Sequence, residues 1–211
     1  MNKEIYLVRH SGPFIEIDNY KDYKNAPWKD YNRNMVLSIE GERNASKLCN
    51  VDDFRGIKNV FVSDSIRSIA TAKYITEMNN ILMKIEPRIE ERNLGIETVS
   101  ELPDDFNIQS FNNKNFHMPL GESLNQVDKR LNDFINEKLD NLNERFVLVI
   151  HGVMLLSYLQ NICDFNYDGK LFNISFNGKP IIIGNMNNPE VIKVTYNSLK
   201  EVINVERIKI D

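Results

Sequence analysis

The sequence predicts an α/β protein, a three-layer α/β/α sandwich with a mostly parallel central sheet. Short apolar runs that are rich in β-branched side chains occur at residues 5–8, 60–62 and 146–150. Longer helix-like stretches lie between these runs, at residues 40–49, 65–78 and 123–142. Strands that alternate with helices of this length indicate a parallel sheet with helices on both faces.

Each predicted element has its own pattern. The three apolar runs suit strands because a parallel strand is buried on both faces. The stretch 123–142 suits a helix because its apolar residues recur every three or four positions. These residues are Leu124, Val127, Leu131, Phe134, Ile135 and Leu139. Residues 172–210 contain short apolar segments separated by turn residues such as Asn177-Gly178, so we expect an antiparallel extension of the same sheet.

Two long polar stretches do not fit the alternating pattern. Residues 11–36 are rich in Asp, Tyr, Lys and Asn, and residues 98–121 include Pro103 and Pro119. Long loops in compact domains usually carry function. We find no internal repeat and no low-complexity linker, so we expect one domain over residues 1–211 with loop insertions at about 11–36 and 98–121.

The composition restricts the classes of partner. A net charge of -4, with 42% apolar and 27% charged residues, gives no general attraction to nucleic acid or to an anionic membrane. An anionic ligand would therefore be bound by a few local cations. Cys49 and Cys163 are far apart and lack metal-ligand spacing, which suits reduced thiols. The N-terminal apolar run is too short for a signal peptide or a membrane helix, so we expect a cytoplasmic protein, monomeric or homodimeric.

Two histidines directly follow predicted strands. His10 comes after the first run and His151 after the run at 146–150. In open α/β sheets ligands bind at the carboxyl ends of strands, so these side chains are expected to face one pocket. Arg9 precedes His10, and Arg67 lies four residues after Ser63, just past the run at 60–62. Because a guanidinium pairs two donors with two phosphate oxygens, the set predicts a clamp for a phosphate dianion.

Five segments together resemble the histidine phosphatase superfamily, also called the phosphoglycerate mutase-like family. They are Leu7-Val8-Arg9-His10, Leu37-Ser38-Ile39-Glu40-Gly41 with Ala45, Ser63 to Arg67 with Thr71-Ala72, Glu90-Glu91-Arg92-Asn93-Leu94-Gly95, and Val149-Ile150-His151-Gly152. The resemblance covers roughly residues 3–160, and the segments follow in the family's order.

The resemblance implies the phosphoglycerate mutase-like fold and a phosphohistidine mechanism. His10 would attack phosphorus, while four side chains would bind the phosphate, namely Arg9, Arg67, His151 and Ser63. Glu91 would give a proton to the leaving oxygen and later take one from water, although Glu90 is its immediate neighbour. The mechanism requires no metal and no cofactor.

The chain departs from the family at two points. Ser11 follows the predicted nucleophile where the family usually has glycine, and the Gly-x-Ser-x-x-Asn run of the glycolytic mutases is absent. We therefore predict a metal-independent phosphatase acting on a phosphomonoester of a small metabolite. Two alternatives stay open: a phosphomutase, and a catalytically weak module that binds a phosphorylated ligand.

Other polar residues have simpler interpretations. His117 could contact substrate from the second loop, but a solvent-exposed loop histidine is the simpler reading. Glu122 precedes the helix at 123–142 and is expected to interact with the helix dipole. A basic and aromatic set in the first loop could cover a phosphorylated ligand or form a solvated loop. This set is Tyr20, Lys21, Tyr23, Lys24, Trp28, Lys29, Tyr31 and Arg33.

Overall fold

The computed structural model describes residues 2–14, 27–142 and 144–211. Its main sheet has six strands in the order β3-β2-β4-β1-β8-β9. Their bounds are Lys3–Arg9 (β1), Asn59–Val62 (β2), Lys84–Ile85 (β3), Phe146–Ile150 (β4), Glu190–Tyr196 (β8) and Val202–Ile208 (β9). Strands β3, β2, β4 and β1 run parallel, whereas β8 and β9 add an antiparallel edge beside β1. The predicted mostly parallel sheet is therefore confirmed.

Six α-helices connect and cover these strands in the described part of the chain. Their bounds are Trp28–Asn34 (α1), Ile39–Ser46 (α2), Ile66–Asn79 (α3), Phe106–Asn112 (α4), Leu124–Asn141 (α5) and Gly152–Ile162 (α6). The three predicted helices correspond to α2, α3 and α5, with a 3-10 turn at Lys47–Asn50 completing the first of them.

The sheet carries one apolar core on each face, which confirms the three-layer arrangement. Along β1, Ile5 and Leu7 belong to the core under α5 and α6, while Tyr6 and Val8 belong to the core under α3. Side chains alternate between the faces of a strand, so a strand buried on both faces is apolar at every position. Because the residues within such a strand are apolar, polar side chains that could take part in a reaction lie at its ends.

The predicted extension of the main sheet is correct for β8 and β9 and wrong for the preceding strands. A separate antiparallel sheet has the order β5-β6-β7. Its strands are Asp164–Tyr167 (β5), Phe172–Phe176 (β6) and Lys179–Gly184 (β7). The hairpin at Asn177-Gly178 forms as expected, with positive φ at both residues. The hairpin pairs with β5, the strand that precedes it in the chain, rather than with an edge of the main sheet.

The predicted loops also contain helices. Helix α1 lies within 11–36 and helix α4 within 98–121; each has seven residues, too few to show a clear helical period. Of the first loop, residues 15–26 lie outside the described residues. None of the described helices is both long enough and apolar enough to span a bilayer.

A close contact between two glycines fixes the chain after β1. Ser38 donates its backbone N–H to the carbonyl oxygen of Gly12 at 3.0 Å. A Cβ atom added to Gly41 would overlap that same oxygen. The missing side chain of Gly41 therefore lets helix α2 approach the segment that directly follows His10.

We expect Gly41→Ala to destabilise the protein although alanine favours helices. The gain in helix propensity is at most about 1 kcal/mol, whereas separating two packed backbone segments costs about 1–3 kcal/mol. Urea denaturation should give a lower free energy of unfolding for Gly41→Ala. The matched control is the exposed Glu40→Ala, expected to stay within about 0.5 kcal/mol. Equal stabilities of Gly41→Ala and wild type would contradict a tight contact.

Candidate active site

Adjacent strand ends bring three predicted residues together. Strands β1 and β4 are parallel with Arg9 opposite Ile150, so His10 and His151 leave the sheet side by side. Their ring centroids are 5.2 Å apart. Strand β2 flanks β4 on its other side, and Ser63 follows it in the same way. The hydroxyl oxygen of Ser63 lies 2.7 Å from Nε2 of His151.

His10 is held in one tautomer. Its Nδ1 lies 2.8 Å from the carbonyl oxygen of Ser11; since a carbonyl can only accept, Nδ1 carries the proton. Nε2 accepts a hydrogen bond from Nε of Arg67 at 3.0 Å. Burial, then the charges of Arg67 and Arg9, lower the pKa of His10 to about 3. The ring is therefore neutral at ordinary pH, with its lone pair on Nε2.

His151 has the opposite tautomer. Its Nδ1 lies 3.0 Å from Nη2 of Arg67; a guanidinium only donates, so Nδ1 accepts and Nε2 donates to Ser63. Burial and the charge of Arg67 hold the pKa of His151 well below its usual range. Both imidazoles are neutral and both direct a lone pair at the same guanidinium.

Arg67 is buried in the first turn of α3, with 3% of its surface exposed. Its Nη1 donates to the carbonyl oxygen of Asn32 in α1, and its Nη2 donates to Oδ1 of Asn32 at 3.0 Å. The backbone of Arg67 is held by Thr71, whose hydroxyl donates to the Arg67 carbonyl at 2.7 Å. The same Thr71 oxygen accepts the N–H of Ser11 at 2.9 Å. Thr71 therefore connects the arginine helix to the segment that follows His10.

Arg9 lies against the start of helix α6. Its Nη1 donates to the carbonyl oxygens of Met186 and Asn187, at 3.3 and 3.2 Å. Its Nε is buried and has no hydrogen-bond partner among the described residues. A Cβ atom on Gly152 would lie 3.0 Å from this nitrogen, so a larger residue there would press on the guanidinium. Burial lowers the pKa of Arg9, and Glu91 and Glu190 oppose that effect.

Glu91 brings a carboxyl group to the two histidines. Its Oε2 lies 3.8 Å from Nδ1 of His151, and its Oε1 accepts the backbone N–H of Arg92 at 2.9 Å. Burial raises the pKa of Glu91, against the lowering effect of the Arg92 N–H and nearby arginines. The described residues that line the cavities at this site include Glu91 and not Glu90.

Arg130 holds the segment that carries Glu91. This role of Arg130 was not predicted from the sequence. Its Nη1 donates to the carbonyl oxygens of Arg88 and Glu90, both at 2.8 Å. Glu122 pairs with Arg130 at 2.8 Å and also accepts the N–H of Asn93 at 2.9 Å. The carboxylate of Glu122 thus makes specific contacts that the helix-dipole interpretation did not include.

Ser11 stands where the family usually has glycine, and its side chain is directed towards helix α2. Ser11 is fully buried, and its hydroxyl donates to the carbonyl oxygen of Gly41 at 2.7 Å. Ser11 therefore adds a link between the segment that follows β1 and helix α2.

The remaining candidate residues that the structure describes differ in their distance from the histidines. His117 is exposed, and its Nδ1 contacts the Met118 carbonyl oxygen at 2.7 Å. Arg33 forms an ion pair with Asp64 at 2.7 Å, while Trp28 lines a cavity at the site. Four members of the basic and aromatic set fall outside the described residues, namely Tyr20, Lys21, Tyr23 and Lys24.

Two cavities meet at the histidines. One, of about 470 Å³, extends from Arg9 and His10 towards β5 and β6. The other, of about 340 Å³, extends from His10 and Arg67 towards α1 and α4. Within residues 2–14, 27–142 and 144–211, no three His, Cys, Asp or Glu side chains converge into a set that could hold a metal ion.

Asn32 and Arg92 also belong to the surroundings of the site and were not found from the sequence. Asn32 lies in the Asn-rich stretch that was predicted to be the first loop, and nothing in the sequence pattern distinguishes it from its neighbours. Arg92 belongs to the segment that carries Glu91, but its contacts could not be inferred from the sequence. It donates to the Glu122 carbonyl, the Ser110 hydroxyl and the Phe116 carbonyl, at 2.7, 2.9 and 2.9 Å.

Comparison with known proteins agrees with this geometry. The probable phosphoglycerate mutase GpmB of Cronobacter sakazakii is 27% identical over 165 residues, covering 72% of this chain and 71% of that protein. The corresponding Escherichia fergusonii protein is 25% identical with the same coverage.

Solved structures share the fold at low sequence identity. A mycobacterial glucosyl-3-phosphoglycerate phosphatase superposes with a TM-score of 0.70 at 15% identity, over 98% of this chain and 97% of that one. TTHB049 of Thermus thermophilus superposes with a TM-score of 0.61 at 22% identity, over 98% and 99% of the two chains. The sequence profile of the histidine phosphatase superfamily (branch 1) matches residues 5–178. The chain belongs to this superfamily.

Proposed function

We propose that the protein is a metal-independent phosphatase that hydrolyses a phosphomonoester of a small metabolite through a phosphohistidine on His10. The observation that carries the proposal is the state of His10: a neutral ring whose Nε2 lone pair meets the buried Arg67 guanidinium. A nucleophile needs that lone pair, and a phosphate needs that cation.

The phosphate site in this proposal is formed around Arg67. A bound phosphate oxygen would accept the Arg67 Nε–H that now goes to His10, which frees Nε2 for attack. The buried Nε–H of Arg9 lacks an acceptor among the described residues, and an anion would supply one. The N-terminus of α6 adds partial positive charge, while His151 and Ser63 form the back of the site. Charge of this kind stabilises the transition state of phosphoryl transfer.

Glu91 accounts for the proton transfers. Burial raises the pKa of Glu91 and so favours the protonated carboxyl. As the bond from His10 Nε2 to phosphorus forms and the ester P–O bond breaks, this proton passes to the leaving oxygen. The resulting carboxylate then takes a proton from water as the water oxygen attacks phosphorus and the N–P bond breaks. Inorganic phosphate and the free alcohol are the products.

A phosphomutase is the second candidate. It is supported by the curated relatives, which are named as probable phosphoglycerate mutases. A mutase would use the same phosphohistidine but return the phosphoryl group to a substrate alcohol. Release of inorganic phosphate at the rate of ester consumption distinguishes a phosphatase from a mutase. A module that binds phosphate without forming a phosphoenzyme would show neither reaction.

We expect hydrolysis of p-nitrophenyl phosphate to persist in EDTA and to fall by about a thousandfold or more in His10→Ala, because the nucleophile is removed. Quenching in alkaline detergent should trap an alkali-stable, acid-labile phosphoenzyme in wild type and not in the variant. His117→Ala, an exposed histidine change, is the matched control and should retain full activity. Loss of activity on chelation, or survival in a folded His10→Ala protein, would refute the mechanism.

The proposed role of Glu91 predicts that the effect of its substitution on the rate depends on the leaving group. We expect Glu91→Gln to lower hydrolysis of alkyl phosphates by about 10²–10⁴-fold, because an alkoxide needs a proton to leave. With p-nitrophenyl phosphate, whose leaving group needs no proton, the variant should release one rapid equivalent of p-nitrophenol and then turn over slowly. Glu90→Gln is the neighbouring control and should act like wild type. The reverse pattern would assign the proton donor to Glu90.

The tautomers can be observed directly. Because the pKa of His10 lies at about 3 in the folded protein, below the value of about 6.5 in an unfolded chain, the ring should stay neutral as the pH falls through 6.5. Long-range ¹H–¹⁵N NMR should show the Nδ1–H form for His10 and the Nε2–H form for His151. Histidine-to-asparagine variants would assign the signals. An imidazolium spectrum for His10 at pH 6 would rule out the neutral nucleophile.

A further inference from the structure

The two cavities at the site differ in the chemistry of their walls. They share His10, Glu91, Asn107 and Val153. The larger one, here called the polar cavity, is lined by Lys170, Asn185 and Asn188 as well as by apolar side chains such as Phe111 and Leu156. The smaller one, here called the apolar cavity, is lined, besides Pro13 and the shared Val153, by six apolar side chains: Trp28, Met35, Leu94, Val99, Leu102 and Phe106.

The wall of the apolar cavity is built from both loop insertions. Trp28 donates its backbone N–H to the carbonyl oxygen of Glu97 at 2.7 Å, which joins the first insertion to the segment before the second. A capping box between Thr98 and Glu101 orders the turn that carries Val99. Phe106 packs under Arg92, with the guanidinium carbon 4.8 Å from the ring centroid. The cavity is therefore a defined part of the fold.

The apolar cavity opens directly onto the proposed chemistry. His10, Arg67 and Glu91 line it together with the six apolar side chains. Five of those six are only partly buried, because they face the cavity rather than the core. Apolar surface left open beside reactive groups is typical of a site for an apolar part of a ligand.

Charge limits what the apolar cavity can hold. Among the described residues that line it, the cations are Arg67 and Arg92. Arg67 is assigned to the phosphate in the proposed mechanism. Arg92 is buried, and each of its three side-chain nitrogens donates to an acceptor of the protein itself. Within the described residues, a second carboxylate or phosphate on the substrate would lie against apolar side chains and would find no free hydrogen-bond donor on Arg92.

We infer that the apolar cavity holds the leaving group, and that the preferred substrates are phosphomonoesters of apolar alcohols, alkyl or aromatic, without a second anionic group. This inference rests on the proposed phosphatase function. Glu91 lines this cavity as well as the polar one, so the proposed proton donor reaches a leaving oxygen bound here. The volume of about 340 Å³ suits a compact aromatic system or a medium-length alkyl chain.

A homologous series tests the inference. The n-alkyl phosphates from methyl to octyl have leaving groups of nearly equal basicity, so differences in kcat/KM report binding of the chain in the transition state. We expect kcat/KM to rise about fourfold per methylene until the cavity is filled. Hexyl phosphate should exceed glycerol 3-phosphate and 3-phosphoglycerate by about tenfold or more.

Two substitutions locate the effect. Leu102→Asn keeps the side-chain size at a partly exposed position and should lower the octyl-to-methyl ratio of kcat/KM by about tenfold. Lys170→Ala alters the polar cavity and should leave this ratio unchanged. A preference for 3-phosphoglycerate that is lost in Lys170→Ala would place the leaving group in the polar cavity and overturn the inference.

The two levels of proposal fail separately. A flat alkyl series in an enzyme that still forms a phosphoenzyme and releases phosphate would overturn the apolar leaving-group site and leave the phosphatase mechanism standing. Absence of a phosphoenzyme and of phosphate release with every ester would overturn both.

Discussion

The site depends on a buried guanidinium that lies between two imidazoles. Arg67 donates to Nε2 of His10 and is in hydrogen-bond contact with Nδ1 of His151. A buried cation of this kind is tolerated only when its donors are satisfied, and here Asn32 satisfies the outer nitrogens. Burial and this charge together keep both rings neutral, because a proton on either ring would be poorly solvated and would place two positive charges in contact. The cation that suits a phosphate therefore also helps to keep the proposed nucleophile neutral.

Sheet geometry makes that contact possible. Strands β1 and β4 are parallel neighbours in which Arg9 lies opposite Ile150, and His10 and His151 are the next residues. A slip of one residue in this register would turn one histidine to the opposite face of the sheet. Strands that are apolar on both faces fix the register through their packing. The position of two catalytic candidates 141 residues apart in sequence is thus determined by hydrophobic burial in the strands between the helices.

The sequence contained enough information for the sheet, three helices and the meeting of the histidines with Arg67. The sequence was less informative for segments whose apolar residues show no regular spacing. Helix α6 was missed because it is apolar nearly all round, with most of its side chains buried. Strands β6 and β7 were assigned to the wrong sheet, because a hairpin signal defines a turn and not the neighbour that the hairpin will pair with.

Side-chain partners were the hardest part to infer. Four arginines lie around the site, and their contacts divide them into two pairs. Arg92 and Arg130 are directed into carbonyl, hydroxyl and carboxylate acceptors of the protein and hold the segment that carries Glu91. Arg9 and Arg67 also donate to protein acceptors, but they lie at the strand ends beside the histidines, and Nε of Arg9 has no acceptor among the described residues. The residue type alone does not show which arginines hold the Glu91 segment and which lie beside the histidines, because the acceptors come from segments that are distant in the sequence.

This division of arginines sets how much charge the site can neutralise. In the proposed mechanism two guanidiniums and a helix N-terminus bind one phosphate dianion, whereas the donors of Arg92 are used by two carbonyls and a hydroxyl of the protein. Beyond the phosphate, the wall that carries Trp28 and Phe106 is apolar. A substrate with one dianion and an apolar remainder matches these described residues, whereas a second anion there would lose its hydration without gaining a free hydrogen-bond donor from them. The inferred preference for substrates without a second anionic group therefore follows from the contacts that the protein makes with its own arginines.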